Sequence, residues 1–225
     1  MPINTPLRSL LLIQLLATLA ILAFVPTNSA KLLGLLAVWL LTFGKLKVPE
    51  LILYISACAF FTIMNILSLK QGIFAFSQPD VLGMPIYEFF MWGYYLLHTI
   101  RMVGGCAPTG NKATSWVLAV LFAITFSAIS DPQILLLTSA LLLGVALVFF
   151  HEPLDLTYLG YMVFLGAAIE YSGVWSGQWH YPGNPPGGVP LWFITLWGGV
   201  GLFLRRLVAP ILSRFMPIAR VAASV

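Results

Sequence analysis

Long apolar stretches, separated by short polar segments, make up most of this chain of 225 residues. The hydrocarbon core of a bilayer is about 30 Å thick, and a helix needs roughly 20 apolar residues to cross it. Eight stretches approach or reach this length, and they cover residues 7–26, 31–44, 49–68, 85–104, 114–130, 133–150, 154–175 and 189–208. The sequence therefore predicts an all-α, polytopic membrane bundle of about eight transmembrane helices.

The scarcity of charge excludes several classes of protein. Only 8% of the residues are charged and 60% are hydrophobic, whereas a soluble domain has about a quarter of its residues charged. The basic residues flank the apolar stretches and form no patch, so no nucleic-acid partner is expected. The two cysteines, Cys58 and Cys106, are too few for a disulfide framework and are interpreted as packing residues.

The distribution of positive charge predicts the orientation in the membrane. With eight spans, nine of the 11 Lys and Arg residues fall on the side of the N-terminus, and only Lys31 and Lys70 fall on the other side. Positive residues concentrate in cytoplasmic loops. We therefore expect a multi-pass protein of the cell membrane with both termini in the cytoplasm and with the loops 69–83 and 176–188 facing outward.

Residues 72–102 match residues 177–207 without a gap, at an offset of 105 residues. We therefore predict one membrane domain, in which residues 1–105 and 112–210 are two tandem repeats of four helices. Residues 211–225 are a predicted cytoplasmic tail. The identical pairs include Gly72/Gly177, Gly83/Gly188, Pro85/Pro190, Trp92/Trp197, Gly93/Gly198 and Arg101/Arg206. Repeats of four helices share their topology and are related by an axis along the membrane normal. We expect both aromatic loops on one face, with a cavity between the halves beneath them.

Two of the seven acidic residues, Glu88 and Glu170, lie about a turn or more inside predicted spans, whereas Glu50 and Asp155 lie at the ends of spans. Glu88 is about one turn inside the fourth span, and Glu170 lies nearly two turns before the outer end of the seventh. Carboxylates within the membrane are costly and usually face a cavity or a partner. Each repeat contributes one of them, since Glu170 aligns with Asn65 and Glu88 aligns with Phe193. The other five acids are interpreted as solvated helix ends and caps.

A carboxyl group in apolar surroundings can stay protonated near neutral pH and can then donate its proton. Aromatic rings attract cations, so an aromatic lining beside such an acid suits chemistry that makes and shields a carbocation. Two other interpretations stay open: the glutamates can hydrogen-bond across helices, and Trp and Tyr concentrate at membrane interfaces in any case. The candidate catalytic residues are Glu88 and Glu170, and the candidate substrate-binding residues are Asn65, Trp92, Tyr95, Trp175, Trp179, Tyr181, Trp192 and Trp197.

The histidines give no support for a metal site. His98, His151 and His180 are not at ligand spacing on one helix, and the chain has no phosphate-binding, dinucleotide-binding or HExxH motif. We expect neither a metal nor a cofactor.

The segment Leu82-Gly83-Met84-Pro85-Ile86-Tyr87-Glu88-Phe89-Phe90 resembles the G-x-P-x-E-E-x-x-F motif of the small membrane lycopene cyclases. The stretch from Glu170 to Trp192, with Trp179, Tyr181 and Pro190, resembles the corresponding part of the second repeat in that family. Tyr87-Glu88 stands here in place of the paired glutamates. The resemblance implies a duplicated membrane fold in which Glu88 protonates a polyene or epoxide and Glu170 is its partner or the final base.

The function expected from the sequence is cofactor-free cyclisation or hydration of an isoprenoid lipid, a carotenoid or terpenoid, by an integral-membrane enzyme of the isomerase or lyase type. Its partners would be a lipid-soluble small molecule and membrane lipid. A transporter or lipid-binding protein that uses the cavity between the repeats is the main alternative. An accessory subunit of a membrane complex, with no site of its own, is the third.

Overall fold

The computed structural model describes residues 5–215, and most of these residues are helical. The helices are α1 (Thr5–Phe24), α2 (Asn28–Phe43), α3 (Val48–Lys70), α4 (Glu88–Val103), α5 (Lys112–Ala128), α6 (Pro132–Phe149), α7 (Pro153–Trp175), α8 (Trp192–Phe203) and α9 (Ala209–Phe215). Two short strands, β1 (Ala75–Phe76) and β2 (Trp179–His180), follow α3 and α7. The all-α class predicted from the sequence is confirmed.

Within residues 5–215, four helical segments are both long enough and apolar enough to cross a membrane. They are Leu7–Phe24, Val48–Lys70, Pro132–Phe149 and Pro186–Phe215. The apolar helices α2 and α5 are shorter. Large apolar side chains such as Leu16, Leu41 and Leu137 are exposed on the helix surfaces, as expected where lipid covers a helix. These features indicate a protein that associates with a membrane.

Polar residues at the helix starts explain where several helices begin. Asp131 accepts hydrogen bonds from the backbone N–H groups of Gln133 and Ile134, both at 2.9 Å, and so caps α6. The side chains of Thr27 and Asn111 cap α2 and α5 in the same way. A side-chain acceptor at this position satisfies backbone donors that have no partner within the helix.

The two segments that leave α3 and α7 have the same backbone geometry. A shift of 105 residues carries both ends of α3 onto the ends of α7. Just beyond these ends, Gly72 donates to the carbonyl of Leu69 at 3.0 Å, and Gly177 donates to the carbonyl of Val174 at 3.1 Å. Both glycines have positive φ, +69° and +71°, a conformation that side chains with a Cβ rarely adopt.

The strands β1 and β2 pair with each other in an antiparallel ribbon. Ala75 faces His180, which is the residue 105 positions later, and Phe76 faces Trp179. The N–H of Ser77 extends the pairing by donating to the carbonyl of Gln178 at 2.9 Å. The two loops that match in sequence therefore meet each other directly.

The chain forms two compact units. Within the described residues, the first unit consists of Thr5–Leu97 and Ala167–Pro190, and the second consists of His98–Gly166 and residues 191–215. Each unit combines residues from both predicted repeats. The predicted tail, residues 211–225, starts inside α9, and residues 216–225 lie outside the described residues, as do residues 1–4.

Buried contacts between helices stabilise the core of the first unit. The indole N–H of Trp39 on α2 donates to the hydroxyl of Thr18 on α1 at 3.0 Å. The same indole stacks on Tyr94 of α4, with ring centroids 4.6 Å apart and planes within 4° of parallel. These contacts fix α1, α2 and the N-terminal part of α4, which carries one of the candidate acids.

Candidate active site

Both candidate acids lie in the first unit, and both are buried. Glu88 is the first residue of α4 and Glu170 lies on α7; they are 7% and 9% exposed. The two carboxyl groups are within electrostatic reach of each other. The structure thus brings together, away from solvent, the two residues on which the predicted chemistry depends.

Two hydrogen bonds hold the carboxyl group of Glu170. The indole N–H of Trp179 donates to Oε2 of Glu170 at 3.1 Å, and the hydroxyl of Tyr181 donates to the same oxygen at 2.7 Å. Trp179 lies in β2 and Tyr181 directly follows it. Side chains two residues apart in extended chain point to the same side, so the ribbon presents both donors to the acid.

Gly173 explains how the ring of Trp179 comes so close to α7. It lies three residues after Glu170, on the same face of the helix. A Cβ atom at Gly173 would lie 2.0 Å from the ring of Trp179. Only the absence of a side chain at this position lets the indole lie against the helix and reach Glu170.

Burial raises the pKa of Tyr181 well above its ordinary value, and the negative charges of Glu170 and Glu88 raise it further. The phenol therefore stays protonated over the physiological range of pH. It remains a hydrogen-bond donor to Glu170, which supports the geometry of the acid.

A tight turn places Glu88 at the start of α4. Val81 and Met84 exchange backbone hydrogen bonds, at 2.9 and 3.0 Å. The Asp80 carboxylate accepts the N–H of Ile86 at 2.9 Å. The turn fixes the backbone, but no hydrogen bond from the described residues reaches the carboxyl group of Glu88. Glu88 and Glu170 thus have different surroundings: Trp179 and Tyr181 donate to Glu170, whereas no donor among the described residues bonds to the carboxyl group of Glu88.

Aromatic residues surround the two acids within the first unit. Tyr95 is buried on α4, within electrostatic reach of both Glu88 and Glu170. Trp92 contacts Tyr95 edge-on, with ring centroids 5.4 Å apart, and one of its faces stacks on Phe61 at 3.9 Å. Four predicted substrate-binding residues thus lie around or beside the acids: Trp92, Tyr95, Trp179 and Tyr181.

The other predicted substrate-binding residues are placed differently. Trp175, at the end of α7, is 76% exposed, and its ring lies against Tyr171. Asn65 is half-buried on α3. Trp192 and Trp197 belong to the second unit, where both are buried.

Three residues near the acids were missed by the sequence analysis. Lys31, near the start of α2, is only 2% exposed and donates a hydrogen bond to Oε1 of Gln178. Its ammonium nitrogen lies 5.6 Å from the centre of the ring of Tyr87. Lys31 is the first residue of the predicted span 31–44, where a lysine is ordinary, so its position in the sequence was no signal of its burial.

A buried ion cluster lies in the second unit. Arg205 and Arg206 belong to a π-helical turn, Leu204–Val208, that continues α8. Both guanidinium groups contact Asp155, which is fully buried, and Arg205 also donates to Glu152 at 2.6 Å. The interpretation of Asp155 as a solvated helix end is therefore wrong. Its capping role is present, because it accepts the N–H of Glu152 at 2.9 Å.

The pKa of Glu152 reflects opposing effects. Partial burial raises it, but hydrogen bonds from the hydroxyl of Thr109, from Arg205 and from the backbone N–H of Thr109 lower it more, to about 2. Glu152 is therefore ionised at neutral pH and completes the charge balance of the cluster.

No group of three or more His, Cys, Asp or Glu side chains within residues 5–215 is placed to hold a metal ion. Comparison of the chain with protein-family models, with curated proteins and with solved structures finds no match. The interpretation of the site rests on its own geometry.

Proposed function

We propose that this protein is an integral-membrane enzyme that cyclises or hydrates an isoprenoid lipid by carboxylic-acid protonation, without a cofactor. The observation that carries the proposal is the buried pair formed by Glu88 and Glu170, which lie within electrostatic reach of each other. Burial of two carboxyl groups in one place is unfavourable unless they share a task or a partner. Proton transfer to and from a lipid is such a task.

The surroundings of the two acids suggest their roles. Glu170 accepts hydrogen bonds from Trp179 and Tyr181, and such donors stabilise a carboxylate. Glu88 receives no such donor from the described residues. In the proposed reaction Glu88 is therefore the acid and Glu170 is the base.

The proposed steps balance without an oxidant or reductant. The O–H bond of Glu88 breaks, its proton adds to a carbon–carbon double bond of the substrate, and a tertiary carbocation forms. A second double bond attacks the cation and closes a ring, or water adds to it. Glu170 then takes a proton from the product cation, and proton exchange between the two acids restores the starting state.

The aromatic residues beside the acids support this chemistry. The π faces of Tyr and Trp rings stabilise a cation by about 0.5–2 kcal/mol each. Tyr95 lies within electrostatic reach of both carboxyl groups, and Trp179 packs beside Glu170. These rings would shield the carbocation from water until Glu170 removes the proton.

Local geometry supports the proposed duplication of four helices and the eight-span topology. The ends of α3 and α7 differ by 105 residues, and the turns after them have matching hydrogen bonds. Leu82 and Gly83 have positive φ, as do Gly187 and Gly188 at the same offset. The pairing of Ala75 with His180 fits a local two-fold axis that relates the two loops.

The proposed topology places both termini in the cytoplasm, as the distribution of Lys and Arg predicts. It also places both aromatic loops on the outer face of the cell membrane, and their pairing through β1 and β2 supports their lying on one shared face. The similarity to the small membrane lycopene cyclases, carried by Pro85 and Glu88, fits the same proposal.

The test uses purified protein in lipid nanodiscs with polyprenyl, carotenoid and epoxy-terpenoid candidates, in water and in D₂O. We expect wild-type protein to form a product that carries one carbon-bound deuterium from the solvent. The variants Glu88→Gln and Glu170→Gln should lose turnover by at least 100-fold. The control is Asp131→Asn, the same type of substitution at an exposed helix cap, where an amide also caps. Unchanged turnover in both glutamate variants would remove the mechanism.

The same experiment separates the enzyme from the alternatives. A transporter or lipid-binding protein that uses buried glutamates would bind the lipid and return it unchanged, with no deuterium incorporated. An accessory subunit would bind none of the candidates, and the glutamate variants would alter only its stability.

A further inference from the structure

A buried cluster of hydrogen-bond donors lies beside the acid pair, and the proposed proton transfer does not use it. The cluster, called here the Lys31 cluster, consists of Lys31, Gln178 and Tyr87, all within the first unit. Lys31 donates to Oε1 of Gln178, and its ammonium nitrogen lies 5.6 Å from the centre of the ring of Tyr87.

Donors in this cluster outnumber acceptors. The ammonium group of Lys31 has three N–H donors, and Gln178 uses one of them. No carboxylate of the described residues forms an ion pair with Lys31. The hydroxyl of Tyr87 is buried, and it has no hydrogen-bond partner among the described residues. Buried hydrogen-bond donors are almost always paired with an acceptor. The surplus of donors in this cluster therefore fits a ligand that supplies an acceptor.

The Lys31 cluster is adjacent to the proposed chemistry. Tyr87 directly precedes Glu88, and both Glu88 and Asp80 lie within electrostatic reach of its hydroxyl. Gln178 is the neighbour of Trp179, which holds Glu170. A lipid that places a double bond at the acids would therefore place nearby atoms at the cluster.

We propose that the Lys31 cluster binds an uncharged oxygen acceptor of the substrate, so that the substrate is an oxygen-bearing isoprenoid rather than a hydrocarbon. This inference rests on the proposed function and specifies its substrate class. A hydroxyl, carbonyl or epoxide oxygen accepts hydrogen bonds from the ammonium of Lys31 and the hydroxyl of Tyr87. A hydrocarbon would leave the hydroxyl of Tyr87 and the two remaining N–H donors of Lys31 without an acceptor, and sites built to hydrogen-bond an oxygen reject analogues that lack it.

The charges around the cluster favour a neutral acceptor over a phosphate. Asp80 lies within electrostatic reach of Tyr87, and only Lys31 contributes a positive charge to the cluster. A diphosphate with two or more negative charges would meet repulsion from the carboxylate of Asp80, and the single charge of Lys31 does not balance a diphosphate.

The test measures binding, without turnover, to wild-type protein in nanodiscs. Its probes are radiolabelled geranylgeraniol, the hydrocarbon in which hydrogen replaces the hydroxyl group, and geranylgeranyl diphosphate. We expect the alcohol to bind at least ten times more tightly than the hydrocarbon, which corresponds to about 1.4 kcal/mol. The diphosphate should bind more weakly than the alcohol. Equal binding of alcohol and hydrocarbon, or a preference for the diphosphate, would overturn the inference.

Substitutions in the Lys31 cluster test whether the cluster causes the preference for the alcohol over the hydrocarbon. Lys31→Met and Tyr87→Phe should each weaken binding of the alcohol about tenfold and leave binding of the hydrocarbon unchanged. Unchanged hydrocarbon binding also shows that each variant is folded, and the near-isosteric Tyr87→Phe keeps the test valid if Lys31→Met does not fold. Lys70→Met, at an exposed position of α3, is the matched control. Alcohol binding that is unaltered in both cluster variants contradicts the proposal.

The binding test and the turnover test can succeed or fail separately, so failure of the substrate class is distinguishable from failure of the proposed reaction. If Glu88→Gln and Glu170→Gln keep full turnover while the alcohol preference persists, the acid–base function fails and the acceptor site stands. If turnover depends on both acids but the protein binds hydrocarbon and alcohol equally, the function stands and the substrate class is wrong.

Discussion

Asp155→Asn is expected to destabilise the protein markedly, because Asp155 is fully buried between two guanidinium groups. Its Oδ1 accepts the Nε of Arg206 at 2.8 Å and a further bond from Arg205, and its Oδ2 contacts Arg206 again. An asparagine keeps the size of the side chain but removes its charge. Two cations would then remain buried with only Glu152 to balance them.

The magnitude follows from the burial of the cluster. Removing one partner of a buried ion pair costs about 3–5 kcal/mol, because the remaining charge is left uncompensated. Glu152 still accepts from Arg205 at 2.6 Å and lies 3.2 Å from Arg206, so the lower value is expected. For a chain of this size each kcal/mol shifts the Tm by about 2–4 °C. The expected decrease in Tm is therefore about 6–12 °C.

The assay heats purified protein in detergent and measures the fraction that still elutes as a monodisperse peak in size-exclusion chromatography. Asp131→Asn provides the control, since Asp131 is exposed and its change from acid to amide leaves the cap of α6 in place. A decrease in Tm no larger than that of Asp131→Asn would mean that solvent reaches the cluster and would refute the reasoning.

Three further expectations concern other parts of the chain. Gly173→Ala should displace the ring of Trp179 and reduce turnover by at least tenfold, whereas Gly160→Ala, on the same helix with nothing within 4 Å of the added Cβ, should leave the rate unchanged. Tyr181→Phe should lower kcat by about tenfold through loss of one hydrogen bond to the proposed base, which steady-state kinetics with the best candidate lipid would measure. Because folding lowers the pKa of Glu152, its stabilising contribution is present above about pH 4.3, its unfolded value, and is lost as the pH falls towards about 2. The difference in Tm between wild type and Glu152→Gln should therefore shrink between pH 5 and pH 3, and a constant difference would count against this pKa.

Hydropathy predicted the helices well because each one is apolar along most of its length. The predicted span 154–175 differs by one residue from α7 (Pro153–Trp175), and the span 7–26 differs by two residues at each end from α1 (Thr5–Phe24). The predicted spans 85–104 and 189–208 begin three residues before the helices α4 and α8 begin. In both cases the turn before the helix is itself apolar, so hydropathy does not distinguish it from the helix.

The acids of the candidate site could be located from the sequence, but their partners could not. Glu88 and Glu170 stand out because a carboxylate inside an apolar stretch is costly. The bonds from Trp179 and Tyr181 depend on the ribbon between β1 and β2, a contact between residues about 105 positions apart. Asp155 was misjudged for the same reason, since its arginine partners lie some 50 residues later.

Duplication offers a physical reason for the unequal surroundings of the two acids. In the proposed repeat Glu170 corresponds to Asn65 and Glu88 corresponds to Phe193, so neither acid has an acidic counterpart. Two symmetry-equivalent carboxyl groups would have the same neighbours and the same affinity for a proton, and neither would be committed to donate or to accept. Because the acids come from different positions of the repeat, a ribbon can supply two donors to Glu170 and none to Glu88. The proposed division into acid and base therefore agrees with the proposed duplication, in which the two halves carry different residues at the positions of the acids.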